Sequence, residues 1–144
     1  MADSIVGIDL GTTNSEVAAL VDGKVQVLAS AGEQIMPSVV GLAPEGRLLV
    51  GTPARNQYAL YPERTVKSIK RLMGSEQQVT MGEQTYTPPE ISAMILQALK
   101  ARAEVVLGVS VSKAVIPCRP TSLMRNAKRP ATLARLLGST WCAS

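Results

Sequence analysis

Compact and alternating apolar runs open the chain and predict β-strands. Residues 4–10, SIVGIDL, form an apolar run that ends at the polar turn GTTN, residues 11–14. Two more strands are predicted over 16–21 and 24–30, and the Asp-Gly pair between them is typical of a two-residue hairpin turn. The start of the chain therefore predicts an antiparallel meander.

The next part of the pattern predicts a second hairpin followed by two helices. The apolar runs at 38–43 and 47–51 are short enough to pair as neighbouring strands. A helix is predicted over 53–61, where Pro62 ends it, and another over 65–73. The second of these helices would place four apolar residues on one face: Val66, Ile69, Leu72 and Met73.

The strongest helical pattern lies near residue 100. Thr87 is a predicted N-cap, Pro88 suits the first helical position, and Glu90 completes a capping box. The polar segment 75–87 before it predicts a loop with a short strand pair, and residues 113–116 predict the start of another buried strand. A core-facing stripe follows the helical period: Ile91, Ile95, Leu99, Ala103 and Val106.

Composition limits the chemistry that the chain can perform. Its 144 residues suit one domain, and 46% of them are hydrophobic although Phe is absent, so the predicted core is aliphatic. There is no His and only two Cys, which excludes His-based acid–base catalysis and a Cys/His metal site. No apolar run is long enough to cross a bilayer and no signal peptide is recognisable, so we expect a cytoplasmic location.

Charge divides the chain into two parts. Residues 1–116 contain ten Lys/Arg and eleven Asp/Glu, whereas residues 117–144 contain five Lys/Arg and no acidic residue. The net charge of +4 therefore belongs to the second part, and we expect a boundary near Ile116.

The segment GIDLGTTNS has the chemistry of a phosphate-binding turn. Gly11 permits a tight turn without a Cβ, so that the N–H groups of Gly11, Thr12, Thr13 and Asn14 can converge on an anion. Asp9 at the strand end would repel a polyphosphate unless a cation lay between them, which indicates Mg²⁺. Because Mg²⁺ retains much of its water, Asp9 would act through water.

A plain hairpin turn is the alternative interpretation of these residues. For GTTN in isolation the plain turn would be preferred, because short motifs match by chance. The longer string, with a hydrophobic strand before it, is more specific. It is not a Walker A loop, because no G-x-x-x-x-G-K-[ST] string is present.

The order of several segments resembles the DnaK-type Hsp70 chaperones, within the actin–sugar kinase–chaperone superfamily. The resemblance is nearly continuous over residues 4–116. Its segments are GIDLGTTNS (7–15), MPSVV (36–40), LLVGTPAR (48–55), SIKRLMG (68–74) and PPEISAMILQALK (88–100).

The resemblance implies an α/β fold, part of an actin-like ATPase lobe related to RNase H, built from an antiparallel meander and helices. It implies that residues 11–14 wrap the β- and γ-phosphates of ATP and that Asp9 orders the water shell of Mg²⁺. Lys70 matches the family's catalytic lysine, which places the attacking water. From the residues alone Lys70 would be read as an ordinary solvated charge. The whole protein would bind unfolded peptides, a J-domain co-chaperone and a nucleotide-exchange factor.

The resemblance is lost after Ile116. Residues 117–144 can be explained by a single-base deletion, because permissible codons in the shifted frame encode TVPAYFADAQRQATRDAGEIAGLDVVRI, which resembles the family's continuation. We therefore expect residues 1–116 to form the N-terminal part of lobe I and residues 117–144 to be a poorly ordered, out-of-frame basic tail. A basic element for nucleic acid is the alternative, but the frameshift hypothesis predicts no specific nucleic-acid partner.

These expectations lead to a nucleotide-binding fragment of a chaperone. A fragment with only one wall of the ATP cleft should show negligible ATPase activity, because water-exposed donors stabilise phosphate poorly. Two alternatives remain open at this point: a fragment of a sugar or acyl kinase with a similar phosphate loop, and a non-enzymatic interaction module.

Overall fold

A computed structural model describes residues 4–116, and the structural statements below concern that part of the chain. Its helices and strands follow in chain order. They are β1 (Ser4–Leu10), β2 (Asn14–Val21), β3 (Lys24–Val27), β4 (Met36–Pro37), β5 (Val39–Leu42), β6 (Leu48–Val50), α1 (Thr52–Gln57), β7 (Thr65–Lys67), β8 (Val79–Met81), β9 (Gln84–Tyr86), α2 (Pro88–Leu107) and β10 (Val111–Val115).

The main sheet has five strands in the order β10-β1-β2-β3, with β4 also paired to β2. Strands β1, β2 and β3 are antiparallel neighbours, so the predicted meander is confirmed. Strand β10 pairs parallel to β1, because α2 carries the chain back to the start of the sheet. The predicted third strand is too long. It ends at Val27, since residues 30–33 form a separate turn in which Ala31 and Gly32 have positive φ.

A second sheet of three strands, in the order β6-β5-β7, shows that the predicted helix over 65–73 was wrong. Thr65–Lys67 is a strand that pairs with β5, and Ile69–Leu72 is a single 3₁₀ turn. Two causes combine. Thr65 and Val66 are β-branched and suit a strand, and Ser68 adopts φ +55°, which interrupts any helix. The predicted hairpin of β5 and β6 is confirmed.

Helix α2 is confirmed from its first residue to its last. The side chain of Glu90 accepts a hydrogen bond from the backbone N–H of Thr87 at 2.8 Å, and Gly108 ends the helix in the left-handed conformation. Four stripe positions are buried, but Val106 is 43% exposed because it lies on the last turn, beyond the sheet. The other predicted helix, 53–61, is shorter than expected and ends at Gln57.

The core lies between α2 and one face of the main sheet. Ile8 and Val17 project from the sheet and are buried together with Ile95 and Leu99 from the helix. The opposite face of the sheet lacks such a cover within the described residues, and Leu20 and Val25 are 69% and 77% exposed there. The short strands β8 and β9 form the pair predicted between 75 and 87.

Within residues 4–116, no helix is long and apolar enough to cross a membrane. The predicted basic tail, residues 117–144, lies outside the described residues.

Candidate phosphate-binding loop

The turn between β1 and β2 is positioned by a regular antiparallel ladder. Asp9 pairs with Glu16 and Leu10 pairs with Ser15, which leaves Gly11, Thr12 and Thr13 outside the strands. Ile8 anchors β1 in the core just before the turn, because its side chain is almost fully buried. The loop is therefore a short connection held rigidly at its β1 end.

Gly11 is required by the shape of this turn. A Cβ added at Gly11 would lie 2.0 Å from the backbone oxygen of Asn14, far inside contact distance. Its φ lies outside the positive range, so close approach of the two backbone segments, and not a left-handed conformation, excludes a side chain.

Two of the loop amides are donors that face no protein acceptor. Among residues 4–116, the N–H groups of Thr12 and Thr13 donate to no backbone or side-chain acceptor, whereas the Gly11 N–H lies at the end of the β1–β2 ladder, beside the Asn14 oxygen. Successive unpaired amides in a tight turn are the arrangement that binds anions in proteins. The turn thus presents donors without using them in the fold.

The carbonyl groups at and just before this turn, in contrast, accept hydrogen bonds from other parts of the chain. The Lys70 Nζ donates to the Leu10 oxygen at 2.7 Å, and the Ser38 hydroxyl donates to the Gly11 oxygen at 2.8 Å. The backbone N–H of Ser38 donates to the Thr13 oxygen at 2.9 Å. Each of these bonds ties the loop to a distant part of the sequence.

Ser38 is itself supported from the core side. The hydroxyls of Ser15 and Ser38 lie 2.7 Å apart, and both residues are 1% exposed. Sequence reasoning did not single out either serine. The only signals were the matches of GIDLGTTNS and MPSVV to family segments, and nothing local in the sequence indicates that β4 brings Ser38 against the loop.

Lys70 reaches the loop although the predicted helix around it does not exist. It is half-buried on the 3₁₀ turn Ile69–Leu72, which follows β7 after the left-handed residue Ser68. Its ammonium thus lies beside the start of the turn. The structure therefore places the Lys70 ammonium at Leu10, the residue before Gly11, and its predicted catalytic role stays a prediction.

Asp9 lies on the exposed face of β1, one residue before Leu10. It faces Glu16 across the ladder, so two carboxylates are direct neighbours on adjacent strands. Such a like-charged pair is destabilising unless a cation is close. No cluster of three or more acidic, Cys or His residues able to hold a metal occurs in residues 4–116.

Asn14 differs from the other predicted loop residues because it is already the first residue of β2 and pairs with Pro37. Its exposed side chain borders an open groove of about 550 Å³, which Glu33, Thr52 and Arg55 also line. The Thr52 hydroxyl donates to the Glu33 carboxylate at 2.9 Å.

Comparison with known proteins gives the same family as the resemblance. The family model described as Hsp70 protein matches residues 5–80 and 75–134. The second range includes residues 117–134, for which a frameshifted tail is predicted, and the boundary at Ile116 stays a prediction.

Several curated relatives carry the name chaperone protein DnaK. The protein from Thermotoga neapolitana is 51% identical over 130 residues, which cover 89% of this chain and 22% of the relative. The protein from Thermotoga maritima is 50% identical, over 89% of this chain and 22% of the relative. The protein from Thermosipho africanus is 48% identical, over 89% of this chain and 21% of the relative. This chain thus spans about a fifth of the length of these relatives.

These matches favour the chaperone interpretation over the kinase fragment. They also confirm the predicted fold class: the mixed α/β structure is part of an actin-like ATPase fold. Because the family model covers most of the chain, this protein belongs to the Hsp70 family.

Proposed function

We propose that residues 4–116 supply the first phosphate-binding wall of an ATP-dependent Hsp70-type chaperone. In this proposal Gly11, Thr12, Thr13 and Asn14 bind the β- and γ-phosphates of ATP. The observation that carries it is the pair of successive unpaired N–H groups at Thr12 and Thr13, in a turn whose carbonyls are already bonded.

Magnesium fits the same turn. Asp9 would orient the ion through its water, and Mg²⁺ would neutralise charge on the phosphate oxygens when bound. The pairing of Asp9 with Glu16 supports this proposal, because a nearby cation would relieve the repulsion between the two carboxylates.

Lys70 is proposed as the group that steadies γ-phosphate charge and orients the attacking water. Its ammonium already lies at the loop, bonded at 2.7 Å to the Leu10 oxygen. A change of side-chain rotamer would let it exchange this carbonyl for a phosphate oxygen, since a lysine has a long, flexible stem.

The activity of a whole chaperone is a further proposal. The relatives are named chaperone protein DnaK and are about five times as long as the matched segment. We propose that the complete protein is cytoplasmic, hydrolyses ATP, binds unfolded peptides, and works with a J-domain co-chaperone and a nucleotide-exchange factor.

The 144-residue chain by itself should bind ATP weakly and hydrolyse it negligibly. Thr13 and Asn14 are exposed to solvent, and donors in contact with water stabilise phosphate less than donors in a closed site. We therefore separate the binding test, which suits this chain, from the activity test, which requires a complete ATPase.

The binding test is a ¹⁵N NMR titration of the chain at low salt with Mg·ATP, with tripolyphosphate and with adenosine. Mg·ATP and tripolyphosphate should each shift the amide signals of residues 11–14, with dissociation constants in the millimolar range. Adenosine should not shift these signals. Shifts that adenosine reproduces, or none at the loop, would overturn the phosphate-loop assignment. Tight, Mg²⁺-dependent ATP binding would instead contradict the expectation that one wall binds weakly.

The activity test places residues 4–116 into the DnaK of Thermotoga maritima, in place of the matching segment. The chimera should retain ATPase activity. Lys70→Met should lower kcat by about a hundredfold or more, as for the loss of a group that acts on transition-state charge. Lys24→Met, which removes a charge from the first residue of β3, beyond the end of β2 that is far from the loop, is the matched control and should leave kcat unchanged. Equal effects of the two substitutions would remove Lys70 from its proposed role.

A further inference from the structure

The orientation of the loop amides follows from the atoms that hold the loop carbonyls. In a planar trans peptide group the N–H points opposite to the C=O, and the described residues contain no cis peptide bond. The Gly11 carbonyl shares its peptide group with the Thr12 N–H, and the Thr13 carbonyl shares its group with the Asn14 N–H. Since Ser38 binds both carbonyls, the N–H groups of Thr12 and Asn14 point away from Ser38.

Ser38 uses a different donor for each carbonyl. Its hydroxyl holds the Gly11 oxygen at 2.8 Å, and its backbone N–H holds the Thr13 oxygen at 2.9 Å. Substitution of the side chain removes the first bond and leaves the second. The Thr12 amide therefore depends on the serine hydroxyl, whereas the Asn14 amide depends on the strand pairing of β2 with β4.

Ser15 completes the arrangement. A serine hydroxyl has one proton, and that of Ser38 is committed to Gly11, so in the 2.7 Å contact Ser15 must donate to Ser38. Both hydroxyls lie in the core with 1% exposure, where an unpaired polar group is costly. The chain of donors thus has one direction, from Ser15 through Ser38 to the Gly11 carbonyl.

We propose that Ser38 is a positioning residue, whose hydroxyl aims the Thr12 amide at the bound anion, while Ser15 only satisfies the acceptor position of that buried hydroxyl. The proposal rests on the proposed function, because it assigns a part of the phosphate loop. The hydroxyl does not touch the phosphate. It sets which way one peptide group faces.

The rival explanation is that the two serines only fill the core and satisfy each other. Under that explanation, loss of the Ser38 hydroxyl lowers the free energy of unfolding without a specific effect at Thr12. Ser92, on helix α2, provides a matched control. It is also fully buried, and its hydroxyl donates to the Met73 sulfur at 3.3 Å.

The experiment uses the full chain and its variants Ser38→Ala, Ser38→Thr, Ser15→Ala and Ser92→Ala. Backbone ¹⁵N order parameters and N–H residual dipolar couplings are measured at Thr12 and Asn14 without a ligand. The dissociation constant for tripolyphosphate is then measured by titration. Chemical denaturation of each variant measures stability separately.

In Ser38→Ala, the order parameter of Thr12 should fall from the rigid range, about 0.85, to below about 0.6, while that of Asn14 stays rigid. Tripolyphosphate should bind about five- to tenfold more weakly, as expected for the loss of one aligned donor. Ser38→Thr retains the hydroxyl and should restore the order of Thr12. Ser15→Ala leaves the bond to Gly11 and should change binding by less than about twofold.

An unchanged order parameter at Thr12 together with unchanged tripolyphosphate binding in Ser38→Ala would overturn the proposal. Equal losses of Thr12 order and of tripolyphosphate affinity in Ser38→Ala and Ser92→Ala would overturn it as well. If the unsubstituted chain binds no tripolyphosphate, the proposed function fails, yet the order of Thr12 in the free protein still decides whether Ser38 aims this amide. Should Ser38→Ala fail to fold, Ser38→Cys gives the same comparison, because a thiol of similar size is a weak donor.

Discussion

The ammonium of Lys70 donates to the backbone oxygen of Leu10 at 2.7 Å, across 60 residues of sequence. This bond joins the 3₁₀ turn after β7 to the end of β1, where the phosphate-binding loop starts. It gives the lysine a structural partner in the free protein and places its charge where a polyphosphate is proposed to bind.

Replacement of Lys70 should therefore affect both stability and anion binding. Lys70→Met should lower the free energy of unfolding by about 1–2 kcal/mol, because a hydrogen bond from a charged donor is lost. It should also weaken tripolyphosphate binding about fivefold, which corresponds to one unit charge acting near 4 Å in water. Denaturation and NMR titration of the chain measure these effects.

Lys24→Met is the control for net charge, because Lys24 is exposed at the start of β3, paired with Val21 at the end of β2 that is far from the loop. It should change anion binding by less than about twofold at moderate salt. If it weakens binding as much as Lys70→Met does, the anion responds to overall charge and not to a lysine at the loop.

Gly11→Ala should disrupt the phosphate-binding loop. The new Cβ would lie 2.0 Å from the Asn14 oxygen, so one of the two backbone segments must move. We expect a loss of about 2 kcal/mol in unfolding free energy, typical of local backbone strain, and loss of the loop's response to tripolyphosphate.

Gly7→Ala is the matched control for this substitution, because Gly7 lies on β1 just before the loop and its added Cβ would meet its nearest atom only at 4.0 Å. It should leave anion binding intact. A Gly11→Ala variant that still binds tripolyphosphate with unchanged affinity would show that close approach at Gly11 does not shape the loop.

Glu90→Ala should destabilise helix α2 at its first turn. The substitution removes the carboxylate that accepts the Thr87 N–H at 2.8 Å, and the expected loss is about 0.5–1 kcal/mol. The midpoint of chemical denaturation measures it. Glu76→Ala, in the exposed loop before β8, should have no measurable effect, and equal midpoints for the two variants would argue against a functioning capping box.

The frameshift hypothesis makes a prediction about the gene. Its nucleotide sequence beyond the Ile116 codon, read with one added base, should encode TVPAYFADAQRQATRDAGEIAGLDVVRI. Sequencing across that codon tests it directly. A shifted frame without this peptide would mean that residues 117–144 have another origin.

Local patterns were sufficient for the elements whose stability is local. The capping box of Thr87 and Glu90 predicted the start of α2, and the Asp-Gly turn predicted the pairing of β2 with β3. The turn at Gly11 to Asn14 was recognisable locally, because a glycine and polar residues follow an apolar strand, but its phosphate-binding role rests on the longer family string and stays a prediction. The family resemblance added Lys70, which no local rule would have selected.

The tertiary structure decided the rest. Residues 65–67 have a helical apolar pattern, but pairing with β5 satisfies their backbone groups in a strand, and a single left-handed residue, Ser68, then turns the chain. That turn brings Lys70 to Leu10, and β4 brings Ser38 to Gly11. These contacts join residues 60 and 27 positions apart, and their geometry depends on strand pairing and core packing, which periodicity along the sequence does not encode.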